Sequence, residues 1–312
     1  VQGTLWDGAT KVGTAIFTGS NYFATSTLST PVTLPKDEDK LITIKIDTAK
    51  IGTSQPGAQG HLLKVDYDGD DSTGTRGTGV GSGSTINQGS SSDTAMDGVR
   101  LFKSIPTFTK LSVPTNSLSN GEKTLLRWKV SADAAGSIGI SKFTLLFATT
   151  TASVTGVNIY CYTDSGFSSI CSGLSADGGF LVTDILASGN QDWTANTDAF
   201  DFSAEDTASA STTVQVPAGG SRYFEVRGTV AGSASGASVS TQLEGDAAYI
   251  DNADGTFTAG AASVDANASG HDDFIWSANA TGTAVVADQD WTNGYGVSGL
   301  PGSNMSAEVL SL

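Results

Sequence analysis

Several residue types are scarce in this chain of 312 residues. It has two cysteines, two histidines and two methionines. It has 16 lysines and arginines, half the number of its 32 aspartates and glutamates. The net charge of −16 and the lack of a basic stripe exclude nucleic acid as an expected partner, because phosphate backbones would be repelled. No run of about 20 apolar residues occurs, so we expect no transmembrane segment.

The scarcity of histidine also argues against the commonest catalytic chemistry. His61 opens an alternating segment and His271 lies in an acidic one, and neither accompanies the G-x-S-x-G motif of a serine nucleophile. The two histidines and two cysteines lack the spacing of zinc ligands. Carboxylate pairs are numerous, but none stands out as an acid and base pair. We therefore expect a protein that is not an enzyme.

The abundant residues favour strands over helices. The chain has 38 glycines, 15% charged residues and 38% hydrophobic residues. In segment 40–50, Ile42, Ile44 and Ile46 alternate with polar residues. This alternation is typical of a half-buried strand in an antiparallel sheet. The sequence therefore predicts an all-β protein.

Two parts of the sequence echo each other but are unequal in length. Residues 32–46 and 60–70 recur in outline as 214–228 and 236–246. Three strand-like stretches in 106–149 precede the second copy and have no counterpart before the first. Strands of this length with turn signals at this spacing are typical of Ig-like sandwiches. We predict two Ig-like antiparallel β-sandwich repeats, the first incomplete at its N-terminal side.

The echo places the boundary between the two repeats after residue 104. The predicted domains are 1–104 and 105–312, with an irregular tail from about residue 249. An incomplete sandwich exposes unpaired backbone groups and an apolar groove, and a strand added by a neighbour covers such an edge. Segment 303–312 lacks proline and is the best donor strand, with apolar side chains at Met305, Val309, Leu310 and Leu312.

Cys161 and Cys171 flank a segment that contains a turn signal. Ten positions separate the cysteines, and Asp164-Ser-Gly166 lies between them. A turn there lets the cysteines face each other across a hairpin, as a disulfide requires. The alternative is a pair of free buried thiols. A disulfide would indicate an oxidising compartment.

One acidic segment has the residue types of a calcium site. It places carboxylates close together at Asp66, Asp68, Asp70 and Asp71. Oxygen ligands that converge at a turn are those that calcium prefers, although the spacing departs from the EF-hand pattern. A solvated acidic turn is the alternative. We therefore expect no required cofactor, and calcium is the candidate ligand. Weaker candidates of the same kind are Asp251, Asp254, Asp272 and Asp273.

Four large aromatic residues lie near the two ends of the chain, namely Trp6, Trp276, Trp291 and Tyr295. Their rings would stack on sugars in a glycan-binding module, or would anchor a core or an interface with another subunit. We favour the interface because of their positions in the sequence.

Six short stretches carry a resemblance to a known group of proteins. They are LWDGATKVGT (5–14), LPK (34–36), DSTGTRGT (71–78), RYFEVRG (222–228), DFIWS (273–277) and DWTNGY (290–295). With these stretches the chain resembles the β-sandwich repeats of cell-surface proteins from bacteria of the candidate phyla radiation, also called Patescibacteria. The resemblance covers essentially the whole chain. It implies a secreted structural repeat protein of the cell envelope, and it implies no catalytic residue.

The residues and the resemblance lead to one main functional hypothesis. We expect an extracellular, cell-surface subunit that assembles with copies of itself through inter-subunit strand complementation. The sequence leaves open whether the product is a filament or a two-dimensional surface layer. The alternative is a surface adhesin or carbohydrate-binding module, for which glycans would be the partners.

Overall fold

The computed structural model describes most of the chain and confirms the all-β prediction. The described residues are 2–18, 22–71, 74–87, 92–171, 193–194, 197–203, 213–250, 273–284, 288–300 and 304–312, of which 193–194 and 197–203 are described by their backbone. They contain antiparallel sheets and no helix. Several sequence predictions lie outside the described residues, namely His271 and the acidic candidates Asp251, Asp254 and Asp272.

The chain divides into two compact units. Unit 1 comprises Val1–Lys50, Gln55–Gly57 and Leu63–Val99, and unit 2 comprises Ile51–Ser54, Ala58–Leu62 and Arg100–Leu312.

The first seven strands have two to seven residues each. They are β1 (Gln2–Asp7), β2 (Thr10–Ile16), β3 (Ile42–Ile46), β4 (Leu62–Leu63), β5 (Arg76–Thr78), β6 (Thr85–Asn87) and β7 (Val99–Arg100). They form the sheet β2-β1-β3, the pair β4-β7 and the hairpin β5-β6.

A two-residue turn connects β1 and β2. Gly8 occupies it with a φ of 58°, a conformation that favours glycine, and Asp7 pairs with Thr10 across it. Asp7 and Gly8 therefore form a hairpin of the kind that the Asp-Gly dipeptide favours.

Unit 1 buries few apolar side chains. Among its described residues, the hydrophobic side chains that are at least nine-tenths buried are those of Val12 and Ala15. A unit of this size ordinarily needs a larger apolar core to offset the entropy lost on folding.

Unit 2 contains the remaining strands. They are β8 (Pro106–Leu111), β9 (Gly121–Ala132), β10 (Ile138–Thr150), β11 (Ser153–Tyr162), β12 (Trp193–Thr194), β13 (Thr197–Ser203), β14 (Val214–Val216), β15 (Ser221–Ala231), β16 (Ser238–Leu243), β17 (Phe274–Ser277), β18 (Trp291–Asn293) and β19 (Glu308–Ser311).

These strands form two sheets around one core. The five-stranded sheet has the order β12-β11-β15-β9-β8, and the seven-stranded sheet has the order β18-β17-β10-β16-β19, with β13 and β14 also paired to β10. Side chains from both sheets meet in the core. The ring centroids of Trp128 and Phe143 lie 5.2 Å apart and those of Phe143 and Phe224 lie 5.0 Å apart, all fully buried. The Ig-like description of this unit stays a prediction.

The described residues after 249 are more regular than the sequence composition suggests. It contributes β17, β18 and β19 to the seven-stranded sheet. These strands have three or four residues each, and they bury polar side chains such as those of Thr292 and Asn293. Strands this short, with polar residues on the buried side, do not show the apolar and polar alternation by which a strand is predicted.

Candidate assembly site in unit 1

The sheet β2-β1-β3 has one face that lines an apolar groove. Leu5, Ala15 and Ile44 come from the three strands, and Phe17 and Phe23 form part of the wall. The groove has a volume of about 230 Å³ and is open to solvent. Asp66, Asp68 and Asp71 also line it.

Large apolar side chains around this groove are uncovered. The exposed fraction is 45% for Ile44, 52% for Phe23 and 96% for Tyr22. Monomeric proteins rarely leave contiguous apolar surface of this kind unless it binds something. The groove is therefore the first candidate for a binding site in unit 1.

Strand β3 lies at one end of the three-stranded sheet. It pairs with β1 from Ile42 to Ile46, and the sheet order places no further strand beside it among the described residues. The strand contains no proline, and Lys45 is its single charged residue. Proteins usually protect an exposed edge with charges, proline or a bulge. Lys45 is the one charge of this kind on β3.

Three carboxylates converge next to the groove. The nearest oxygens of Asp68, Asp70 and Asp93 lie within 4.8 Å of one another. Asp93 was not predicted from the sequence, because the isolated bridge between Tyr67 and Thr94 is what brings it beside Asp68. The negative charges of Asp93 and Asp68 raise the pKa of Asp70 above its ordinary value.

The other two predicted ligands lie outside this cluster. The Asp66 carboxylate pairs with the Lys64 Nζ at 2.8 Å and accepts the Met96 N–H at 3.0 Å. These contacts hold the pKa of Asp66 below its ordinary value, with the Lys64 hydrogen bond as the main cause. The Asp71 N–H donates to the Asp68 carboxylate at 3.2 Å. The structure thus brings together two of the four predicted carboxylates, and calcium binding stays a prediction.

The predicted disulfide is confirmed in unit 2. Cys161 and Cys171 are bonded, with their Cα atoms 5.4 Å apart. Asp164 organises the turn between them, since its carboxylate accepts the N–H groups of Gly166, Ser168 and Ser169. These hydrogen bonds, led by that from Ser169, lower the pKa of Asp164.

The predicted donor strand is part of unit 2 in this structure. β19 pairs with β16, where Val239 is opposite Leu310. On its other side the Leu118 N–H donates to the Ser311 carbonyl at 3.0 Å. Met305 and Leu310 are buried, whereas Val309 and Leu312 are exposed. Donation to a neighbour would therefore uncover the core of unit 2, so this strand is not a free donor.

The aromatic residues divide between surface and core. Trp276 and Trp291 are buried in unit 2, and the Trp276 Nε1–H donates to the Asn293 carbonyl at 2.8 Å. The interface role favoured for these two is corrected, because their rings fill the core of their own chain. Trp6 is half-buried beneath the Lys45 Nζ, 4.3 Å from its ring centroid, and Tyr295 is exposed.

The five-stranded sheet also contains a buried charge cluster that was not predicted from the sequence. Glu225 is fully buried and pairs with Arg127 at 2.6 Å and Arg227 at 2.5 Å. Thr124 and Tyr162 also donate hydrogen bonds to it. Burial opposes its ionisation, but the hydrogen bonds from its partners prevail and lower the pKa of Glu225. Pairing register, which no single strand reveals, brings these residues together.

Comparison with known proteins identifies no family. No family model matches the chain, and no curated protein matches it. One similar solved structure is described as the complete structure of manganese lipoxygenase of Gaeumannomyces graminis and partial structure of zonadhesin of Komagataella pastoris. The match covers 96% of this chain and 75% of the other, with 10% identity and a TM-score of 0.23. A likeness at this score carries no argument about fold or function. The described residues also contain no helix with the length and hydropathy needed to cross a bilayer.

Proposed function

We propose that this protein is a non-enzymatic structural subunit of an extracellular, cell-surface assembly, in which β-strand complementation by a neighbouring subunit completes unit 1. The assembly is a filament or a surface layer built from copies of the chain. The observation that carries the proposal is the apolar groove on the sheet β2-β1-β3, which leaves Ile44 and Phe23 exposed.

Physical chemistry explains why that face needs a partner. Exposed Ile44 and Phe23 gain about 25 cal/mol for each Å² of apolar surface removed from water. An added strand would also pair backbone groups along β3, as in other cases of β-strand addition. Because acceptor and donor surfaces differ, such contacts are heterologous and extend into open arrays.

The disulfide supports the extracellular part of the proposal. Cys161 and Cys171 are the two cysteines of the chain, and both are in the bond. Structural disulfides persist in oxidising environments such as the cell exterior. The surplus of 16 negative charges keeps such a subunit soluble before it assembles.

A matched pair of variants tests the proposal. Ile44→Asp places a charge in the groove, whereas Thr43→Asp places the same charge at an exposed neighbouring position on β3. We expect light scattering and electron microscopy to show ordered assemblies of the unmodified chain and of Thr43→Asp, and monomers of Ile44→Asp. A monomeric unmodified chain, or normal assembly of Ile44→Asp, would contradict the proposal.

A second candidate function, binding of anionic glycans, is favoured by one surface of unit 2. Tyr160, Phe167 and Tyr223 lie half-buried near the Glu225 cluster, and the Arg127 guanidinium carbon lies 3.9 Å from the Phe167 ring centroid. Aromatic faces beside cations suit sugar rings that carry carboxylates. A glycan array separates the two functions, since binding that is lost in Tyr223→Ala would support this one.

A further inference from the structure

The lysines and arginines of this chain are concentrated in the five-stranded sheet of unit 2. The five strands of that sheet carry six of the 16 lysines and arginines and two of the 32 aspartates and glutamates. Their net charge is therefore +4, whereas the rest of the chain has 10 cations and 30 carboxylates, a net charge of −20. One sheet is thus cationic in a protein that is otherwise strongly acidic.

One face of this sheet points away from the core. In β9 the side chains of Leu126, Trp128 and Val130 are fully buried in the core, and Arg127 and Lys129 alternate with them. Because successive side chains of a strand point to opposite faces, Arg127 and Lys129 point away from the core. Both side chains are half-buried. This second face of the sheet is termed the outer face.

Aromatic rings lie beside the cations of the outer face. Tyr223 is opposite Lys129 in the pairing of β15 with β9. The ring centroids of Tyr223 and Phe167 lie 6.1 Å apart, and the Arg127 guanidinium carbon lies 3.9 Å from the Phe167 centroid. Tyrosine and arginine are the residue types that contribute most to binding in protein interfaces. The outer face therefore has the composition of a surface that binds another protein.

Lys129 differs from the arginines of the outer face in its partners. Arg127 and Arg227 both pair with the fully buried Glu225. Among the described residues, Lys129 forms no ion pair with any carboxylate. The Lys129 ammonium group is therefore available to a carboxylate from outside unit 2.

Unit 1 contains carboxylates that would gain from such a cation. Segment 63–99 has six carboxylates and two cations. The nearest oxygens of Asp68, Asp70 and Asp93 lie within 4.8 Å of one another, and Asp70 and Asp93 are exposed. Their mutual repulsion raises the pKa of Asp70, with the charge of Asp93 as the main cause. A cation beside this cluster favours its ionised form.

From these features we propose that the outer face binds a second copy of the chain, with Lys129 against the cluster of Asp68, Asp70 and Asp93 in unit 1 of that copy. Because Asp70 and Asp93 are exposed, no strand has to leave a core to make this contact. Asp68 also lines the groove, so the contact adjoins the surface where a neighbour adds its strand. Complementary charge raises the association rate and disfavours the wrong partner. The inference rests on the proposed function and names a second contact of the same assembly.

A charge-exchange experiment in EDTA tests this contact. Lys129→Asp places a carboxylate against the cluster, and Asp70→Lys places a cation against Lys129. We expect light scattering to show that each variant begins to assemble at a concentration at least 5-fold higher than the unmodified chain. An equimolar mixture of the two variants should begin to assemble at a concentration at least 3-fold lower than either variant alone, because every contact between unlike copies is then complementary. A mixture that assembles no better than its components would overturn the inference.

Two control variants make the same changes of net charge elsewhere. Lys36→Asp and Asp39→Lys alter exposed positions of unit 1 outside the cluster and the groove, and we expect each to change the onset of assembly less than 2-fold. An effect of Lys36→Asp equal to that of Lys129→Asp would overturn the contact, because net charge alone would then be the cause. Assembly that requires calcium would also overturn it, since a bound cation would then neutralise the cluster.

Cross-linking separates this inference from the proposed function. A carbodiimide joins a lysine to a carboxylate that it touches, and a mixture of ¹⁴N and ¹⁵N chains shows by mass spectrometry whether the two residues belong to different copies. We expect a link of mixed isotopes between Lys129 and Asp68, Asp70 or Asp93. This link in a chain that forms no ordered assemblies would support the contact and contradict the proposed function, whereas ordered assemblies without the link would overturn the contact alone. Binding of polygalacturonate that Lys129→Asp abolishes, with assembly unchanged, would overturn the contact in favour of a glycan site.

Discussion

The pair β1-β3 of unit 1 and the pair β11-β15 of unit 2 have the same antiparallel register, with Ile44 at the position of Val226 in the sequence echo. The two pairs differ in what surrounds them. In unit 2, β15 lies between β11 and β9, and the seven-stranded sheet covers one of its faces, so Phe224 and Val226 are fully buried. In unit 1, the equivalent strand β3 pairs with β1 alone among the described residues, and Ile44 is 45% exposed. The same alternation of residues therefore produces a core strand or an exposed edge, and the difference depends on the second neighbour and the second sheet. Each prediction below tests this contrast, starting with the largest expected effect.

Truncation of core side chains should affect the two units very differently. Phe224→Ala removes a fully buried ring, and we expect the free energy of unfolding of unit 2 to fall by about 3–5 kcal/mol. Ile44→Ala removes a half-exposed side chain, so the loss for unit 1 should stay under about 1 kcal/mol. Urea unfolding with hydrogen exchange read separately for the two units measures both values. Equal losses would contradict the contrast.

Loss of the buried Glu225 charge should destabilise unit 2 and change its pH dependence. Glu225→Ala removes the buried carboxylate that pairs with both Arg127 and Arg227, which should cost about 3 kcal/mol at neutral pH. The folded pKa of Glu225 is lowered, so its contribution is present above the unfolded pKa and is lost as pH falls through the folded pKa. The variant should therefore lose less stability than the unmodified chain on acidification.

The equivalent position in unit 1 supplies the control for Glu225. The echo places Thr43 there, and its side chain is exposed on β3. Thr43→Ala should leave the acid dependence of both units unchanged. If Glu225→Ala and the unmodified chain lost the same stability on acidification, the charge cluster would not determine the pH dependence of unit 2.

Removal of the disulfide should lower the stability of unit 2 and leave that of unit 1 unchanged. A bond that closes a loop of about ten residues contributes about 2–3 kcal/mol by constraining the unfolded chain. Replacement of both Cys161 and Cys171 by serine should lower the stability of unit 2 by that amount and leave unit 1 unchanged, because unit 1 has no cysteine. Thermal unfolding with and without reductant provides the measurement. A matching change in unit 1 would contradict the assignment of the bond to unit 2 alone.

Local patterns predicted the parts of the fold that depend on one strand or one turn. Alternation predicted β3, and the turn at Asp164 predicted the disulfide. The burial of Trp276 and Trp291 escaped prediction because their strands have three or four residues, too few to show a period. Asp93 and the Glu225 cluster escaped prediction because register between distant strands brings their partners together.

The echo itself also has limits as a predictor. It aligns Asp70 with Asp246, yet the two carboxylates have opposite surroundings. Asp246 is buried and accepts N–H groups from Asp273, Phe274 and Gly294, which connects β16 to the start of β17 and the end of β18. Burial raises the pKa of Asp246, whereas the charges of Asp93 and Asp68 raise that of exposed Asp70. A shared position in a repeat predicts the backbone better than the environment of its side chain.

The smallest expected effect concerns the carboxylates next to the groove in unit 1. Without a cation, the pKa of Asp70 is higher in the folded chain than in the unfolded chain. The repulsion within the cluster is therefore absent below the unfolded pKa, where Asp70 is protonated, and it destabilises unit 1 as pH rises through the folded pKa. If calcium binds there with a dissociation constant near ~1 mM, 10 mM calcium should stabilise unit 1 by about 1.4 kcal/mol at neutral pH. Asp93→Asn should abolish this gain, whereas Asp66→Asn should retain it, because Asp66 pairs with Lys64 outside the cluster. Thermal unfolding in calcium and in magnesium measures the gain, and an equal response of both variants would leave the acidic segment as a solvated turn.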